Sequence, residues 1–111
     1  MSTREIPRDE WSTFFDNFSR KHEGWGATLE VFGQEIGDQI EERGLFLAGV
    51  TADLSDRGDR ISIMLGGKTE GHLTHIITAP TEVGFEQTED GANSALQIKS
   101  ADGNTALLHL N

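Results

Sequence analysis

One segment near the N-terminus has the spacing of an amphipathic helix. Its aromatic and other core-type residues recur every three or four positions, the period of a helix that buries one face. These positions are Trp11, Phe14, Phe15, Phe18 and His22. Pro7 suits a first helical turn because it has no N–H to leave unpaired, and Gly24 can adopt the left-handed conformation that ends a helix. The spacing predicts a helix over about residues 8–22.

After Gly24, apolar and polar residues alternate with a period of two, which is typical of strands with one buried face. This pattern covers residues 25–32, 45–54, 61–65, 72–79, 95–99 and 105–110. The segment at 72–79 continues past Pro80 to about residue 87. Asp102-Gly103 suits a tight hairpin turn between the last two segments. Because no second helix is available to connect parallel strands, we expect these strands to be antiparallel.

This order of elements predicts a mainly β (α+β) fold in one domain over residues 1–111. An N-terminal helix precedes five or six antiparallel strands, which resembles the small SH3-like barrels and particularly the Sm-like arrangement. There the helix lies across one open end of the barrel. Gly49 and Asp53 weakly match the glycine and acidic residue of the second Sm strand, but the rest of that signature is missing. We therefore expect a helix-capped barrel over about residues 25–110.

The chain also resembles a family of small bacterial proteins of uncharacterised function. The resemblance rests on the specific N-terminal motif REIPRDEW..FF..FSR.HEGW and continues at residues 61–64, 78–81 and 96–98. It covers nearly the whole chain and implies a stand-alone bacterial domain. It implies no activity, cofactor or catalytic residue.

Composition narrows the classes of function. The 111 residues include 19 acidic and 9 basic side chains, for a net charge of −10, and the negative charge is spread evenly along the chain. Nucleic-acid binding draws on clustered Lys and Arg, so this charge argues against it. The chain has no cysteine, which excludes disulfides, zinc–thiolate sites, iron–sulfur clusters and thiol catalysis.

The sequence contains no apolar run near the roughly 20 residues that cross a membrane. Residues 1–8 are polar and charged, without the apolar centre of a signal peptide. We therefore expect a cytoplasmic protein with no membrane segment.

Three motifs that suggest ligands lack the rest of their signatures. Residues 66–69 match the end of a phosphate-binding loop, but Ser62 stands where that loop has glycine, and a strand follows in place of a helix. Asp53, Asp56 and Asp59 are three positions apart, whereas calcium loops space their acids by two. The tripeptide Arg57-Gly58-Asp59 can serve in cell adhesion, but nothing in the sequence points to an extracellular setting. We interpret all three as solvated turns.

The histidines are the remaining candidates for chemistry. His72 and His75 lie three apart in a predicted strand, so they point to opposite faces and make a poor metal pair. A satisfied or solvent-facing histidine is the simpler interpretation. The candidate binding residues are Trp25, His22, His72 and His75. We predict no metal site, no cofactor and no catalytic residue.

These observations favour a non-catalytic binding or assembly module that contacts a protein partner, or forms a homo-oligomer, through exposed strand edges. One alternative is an Sm-like RNA-binding protein, which would need a ring to gather Arg57, Arg60 and Lys68 at one pore. The other is a small-molecule-binding protein or enzyme that uses His22, His72 and His75.

Overall fold

The computed structural model describes residues 3–33, 37–66 and 72–111. Within these residues the chain forms one α-helix, α1 (Trp11–His22), which a 3₁₀ turn at Arg8–Glu10 precedes. The described strands are β1 (Arg4–Ile6), β2 (Gly26–Gly33), β3 (Gly37–Asp53), β4 (Arg60–Gly66), β5 (His72–Thr78), β6 (Pro80–Gln87), β7 (Ser94–Ser100) and β8 (Thr105–Leu110). The predicted mainly β fold with an N-terminal helix is confirmed.

All eight strands belong to one antiparallel sheet in the order β1-β6-β7-β8-β2-β3-β4-β5. The long strand β3 joins its two halves. The first part of β3 pairs with β2, from Gly33↔Gly37 to Gly26↔Phe46. The second part pairs with β4, from Phe46↔Gly66 to Asp53↔Arg60, and its register shifts between Leu47 and Gly49. Such a bulge bends a strand, so β3 turns from one half of the sheet into the other.

Helix α1 packs beside the second part of β3, beyond the point where the pairing of β3 with β2 ends. The Ser19 hydroxyl accepts a hydrogen bond from the Val50 N–H at 2.8 Å and donates to the Val50 carbonyl at 3.0 Å. The Leu47 N–H donates to the Trp25 carbonyl, and the Leu47 carbonyl accepts from Gly24, both at 2.9 Å. Backbone groups that would otherwise be unpaired in the interior are thereby satisfied.

The aromatic face of α1 and the inner face of the sheet form one core. Trp11, Phe15, Phe18 and His22 are buried, as the helical spacing predicts, and Phe14 packs against the core from a half-buried position. The sheet contributes alternate residues of its strands: Leu29, Leu47, Ile61, Ile63, Leu65, Leu96, Ile98, Leu108 and Leu110 are among the most buried. The fold therefore depends on the helix, because an open sheet of this size needs a second layer over its apolar face.

The predicted SH3-like or Sm-like barrel is wrong in its closure and its strand number. Within the described residues the end strands β1 and β5 are not paired with each other, so the sheet does not close. The chain leaves β5 and enters β6 through the single residue Ala79, whose φ of +51° turns it sharply. The Ala79 N–H donates to the Asp59 carbonyl, and its carbonyl accepts from Ala101. Neighbouring loops thus hold this corner.

Candidate functional site

His22 lies in the core at the C-terminal end of α1, with 1% of its surface exposed. Its Nδ1 is 2.9 Å from the Phe18 carbonyl, and its Nε2 is 3.0 Å from Oγ of Ser94. Because a carbonyl only accepts, this network assigns the proton to Nδ1 and makes Nε2 the acceptor of the Ser94 hydroxyl. Ser94 Oγ in turn accepts from the Gln87 amide at 3.2 Å. Both ring nitrogens of His22 are therefore satisfied.

The surroundings of His22 favour its neutral form. Burial lowers the pKa of His22, and nearby Lys21 acts in the same direction, against the opposing effect of the hydrogen bond to the Phe18 carbonyl. The Phe18 and Trp25 rings pack on the imidazole with centroids 4.3 Å and 4.5 Å away. The structure thus brings the two candidates His22 and Trp25 together in an aromatic cluster.

The Ser94–His22 pair has the atoms of a nucleophile and a base, but its setting is that of a structural contact. Ser94 is 4% exposed, so a substrate does not reach its hydroxyl in this conformation. The Nδ1–H of His22 donates to a helix carbonyl, whereas a triad histidine donates to a carboxylate that stabilises the imidazolium. The pair therefore connects the helix to the sheet.

The other histidines lie apart from His22. His75 is half-buried on β5 and lines a cleft of about 110 Å³ between β5 and the β7–β8 hairpin. His109 lies on β8, where its Nε2 is 3.2 Å from Glu30. The side chain of His72 lies outside the described part of the structure. Each described cleft with a histidine in its lining has a single one: His75, His22 or His109. The described residues also hold no group of three or more side chains that could bind a metal ion together.

The acidic turn between β3 and β4 ties two parts of the chain together. Arg8 Nε lies 2.6 Å from a carboxylate oxygen of Asp59, and Arg8 Nη2 lies 2.8 Å from the other. This bidentate contact holds the pKa of Asp59 below its usual range. Asp59 belongs to both the Asp53, Asp56, Asp59 set and the Arg57-Gly58-Asp59 tripeptide. Its carboxylate is thus already paired with Arg8 of the same chain. Lys68 and the rest of the glycine-rich loop at 67–71 lie outside the described residues.

Strand β5 is an open edge of the described sheet. It pairs with β4 in unbroken register from Arg60↔Thr78 to Gly66↔His72, and no described strand pairs with its other side. Ile76 projects from it with 52% of its surface exposed. The opposite end of the sheet differs, because β1 is three residues long and carries exposed Arg4 and Glu5.

A second surface feature, which the sequence analysis missed, is a groove between α1 and the β1–β6 pair. It has a volume of about 200 Å³ and is lined by Arg4, Phe14, Asn17, Phe18, Lys21, His22 and Phe85. The helical residues share one stripe at spacings of three and four, a signal that the sequence does contain. Arg4 and Phe85 join them only because β1 and β6 pair, with Arg4 directly opposite Phe85.

No helix in the described part of the chain is long and apolar enough to cross a membrane. Residues 2–111 match a family of unknown function, DUF5335. The chain is 32% identical over 110 residues to an uncharacterized protein of Aquifex aeolicus (strain VF5), an alignment that covers 99% of this chain and 93% of that protein. No solved structure matches the chain significantly. The family resemblance expected from the N-terminal motif is thus confirmed, and the chain belongs to DUF5335, a family of unknown function.

Proposed function

We propose that this protein is a non-catalytic assembly module that forms a homodimer through the free edge of β5. The observation that carries this proposal is that no described strand covers that edge, while Ile76 near its centre is 52% exposed. An open edge presents unpaired backbone N–H and C=O groups that pair readily with another strand.

Protein sheets usually protect their edges with Lys, Pro, a bulge or a very short strand. Strand β5 uses none of these devices. Its sequence, HLTHIIT, has no proline and no formally charged residue, and it pairs with β4 over seven residues without a bulge. Four of the seven residues are Ile or Thr, types that favour strands. This composition suits pairing with a further strand.

The charge of the protein restricts where two copies can meet. A net charge of −10 makes the copies repel each other over most of their surfaces. Strand β5 carries no carboxylate, and its outward-facing residues Thr74 and Ile76 lie beside Met64 and Ser62 of β4, which are uncharged as well. The β5 edge is therefore a place where two acidic copies can approach at low electrostatic cost.

A two-fold axis through the middle of β5 makes the contact self-complementary. Two antiparallel β5 strands centred at His75 set Thr74 of one copy opposite Ile76 of the other, so a pair of β-branched side chains forms on each side of the axis. Toward Thr78 the edge is less open, because the Ala79 carbonyl accepts a hydrogen bond from Ala101 in the β7–β8 hairpin. The proposed contact therefore uses the stretch from Leu73 to Ile77.

The oligomeric state tests this proposal directly. The variant Ile76→Lys sets two lysines at the contact, whereas Leu107→Lys makes the same kind of change at an outward-facing, half-buried aliphatic residue of the interior strand β8. We expect the wild type and Leu107→Lys to be dimers and Ile76→Lys to be a monomer in size-exclusion chromatography with light scattering. Circular dichroism checks that each variant is folded.

A wild-type protein that remains a monomer at the highest attainable concentration would show the proposal to be wrong. An Ile76→Lys dimer would do the same, because it would locate the interface elsewhere. Hydrogen exchange adds a second measurement: the β5 amides should become more protected as protein concentration rises, while the β8 amides should not change.

A further inference from the structure

The groove between α1 and the β1–β6 pair has a chemistry that differs from the rest of this acidic protein. We propose that it binds a small organic carboxylate with an apolar body, such as an arylalkanoate. The groove lies away from β5, so this proposal stands independently of the dimer.

The floor of the groove is aromatic. Phe14 and Phe85 are half-buried, and their ring centroids are 5.6 Å apart in an edge-to-face arrangement. Phe18 completes the floor, with its centroid 5.8 Å from that of Phe85. The partly exposed rings of Phe14 and Phe85 offer an apolar ligand both buried area and favourable edge-to-face contacts.

The polar groups on the rim can act as hydrogen-bond donors. The Arg4 guanidinium lies 5.7 Å above the Phe14 ring, and Lys21 follows Phe14 by two helical turns on the same stripe. Asn17 Oδ1 accepts a hydrogen bond from Arg20 at 2.9 Å, which leaves its amide NH₂ as the free part of that side chain. Within the described residues neither Arg4 nor Lys21 forms a salt bridge.

No acidic side chain, which would repel an anion, is among the described residues that line the groove. The chain has 19 acidic and 9 basic residues, yet the lining includes two of the bases and none of the acids. His22 contributes only its ring, because both of its nitrogens are already hydrogen-bonded to Phe18 and Ser94. Two cations and an amide donor above an aromatic floor complement a carboxylate joined to an apolar group.

The size of the groove sets the size of the ligand. Its volume of about 200 Å³ is smaller than the roughly 300–1,000 Å³ of sites for drug-sized molecules. One aromatic ring or a short alkyl chain with a single carboxylate matches this space. A folded partner or a lipid bilayer would use a larger surface, so the proposal commits to a free small molecule.

A pair of probes of the same shape tests the proposal. We expect 3-phenylpropanoate to bind, and 3-phenylpropanol to bind at least about tenfold more weakly because it lacks the charge. Calorimetry measures the affinities, and NMR shift changes should centre on Phe14 and Phe85. Added salt should weaken binding of the acid more than binding of the alcohol.

Three variants locate the site. Asn17→Asp changes one side chain almost isosterically from a donor to a carboxylate, and Lys21→Gln removes one cation, so each should weaken acid binding by at least about tenfold. Lys99→Gln removes a cation outside the groove and should leave binding unchanged. Equal affinity for acid and alcohol, no binding of the acid at millimolar concentration, or wild-type affinity in a folded Asn17→Asp variant would each overturn the proposal.

Discussion

Nε2 of His22 lies 3.0 Å from Oγ of Ser94, although 72 positions separate the two residues in the chain. The contact joins the last turn of α1 to the first residue of β7, and Gln87 extends it to the end of β6. A fully satisfied polar network inside an apolar core fixes one arrangement of its elements, because any shift leaves a buried polar atom without a partner. His22 thus orients the helix on the sheet.

The stability of the protein should depend on the protonation of His22. Its pKa is lowered in the folded protein, whereas in the unfolded chain it titrates near its ordinary value of about 6.5. Below that pH, His22 is protonated in the unfolded chain but stays neutral in the folded protein until the lowered pKa is reached. The free energy of unfolding should therefore fall as pH drops from about 6.5 toward the lowered pKa. Urea denaturation over this range measures the effect.

A variant of His22 separates its contribution from those of other groups. His22→Gln should flatten the pH dependence of the free energy of unfolding between about pH 6.5 and the lowered pKa. An unchanged slope in His22→Gln would mean that other residues cause the pH dependence.

Removal of the Ser94 hydroxyl should destabilise the protein. Ser94→Ala leaves Nε2 of His22 and the amide of Gln87 without this partner, and a buried polar atom without a partner costs about 1–3 kcal/mol. Ser62→Ala is a suitable control, since Ser62 is half-buried in β4 and has no side-chain hydrogen bond within the described residues. Equal free energies of unfolding for the two variants would contradict the structural role of Ser94.

The Ser19 hydroxyl should stabilise the contact between α1 and β3. Ser19→Ala removes the partner of both the N–H and the carbonyl of Val50, with an expected loss of about 1–3 kcal/mol in the free energy of unfolding. Ser12→Ala on the exposed side of the same helix should change stability by no more than about 0.5 kcal/mol. Hydrogen exchange should also show faster opening at the Val50 amide in Ser19→Ala alone.

Replacement of Ala79 by glycine should stabilise the corner between β5 and β6. The φ of +51° costs an alanine about 1–2 kcal/mol, while glycine adopts it freely at an entropic cost of roughly 0.5–1 kcal/mol. We therefore expect a net gain of up to about 1.5 kcal/mol in Ala79→Gly and a loss in the β-branched Ala79→Val. Ala101→Gly, at a residue outside the left-handed region, should not be stabilising; thermal denaturation compares the three.

Local patterns were sufficient for most of the secondary structure. The helix over 8–22 matches the 3₁₀ turn and α1 together, and the last strand has the predicted bounds. Strand β1 was missed because three residues, two of them charged, show no alternation. The early start of β3 was missed because residues 37–44 are mostly polar and read as a loop.

The candidate site was harder to predict from the sequence than the secondary structure was. His22 and Trp25 are close in the chain, so their proximity follows from the end of the helix. The contact of His22 with Ser94 and the pairing of Arg4 beside Phe85 depend on strand register across the whole chain. The cytoplasmic location, the lack of enzyme activity and the partner stay predictions.

The sequence alone determined the amphipathic helix, the antiparallel strands and the acidic surface, because each follows from the spacing or the charge of neighbouring residues. Only the tertiary structure decided that the sheet stays open, that β5 is an exposed edge, and that Arg4, Asn17 and Lys21 line one aromatic groove. Those features depend on which strands pair and where the helix packs. Such contacts join residues far apart in the chain, and no local pattern of side chains specifies them.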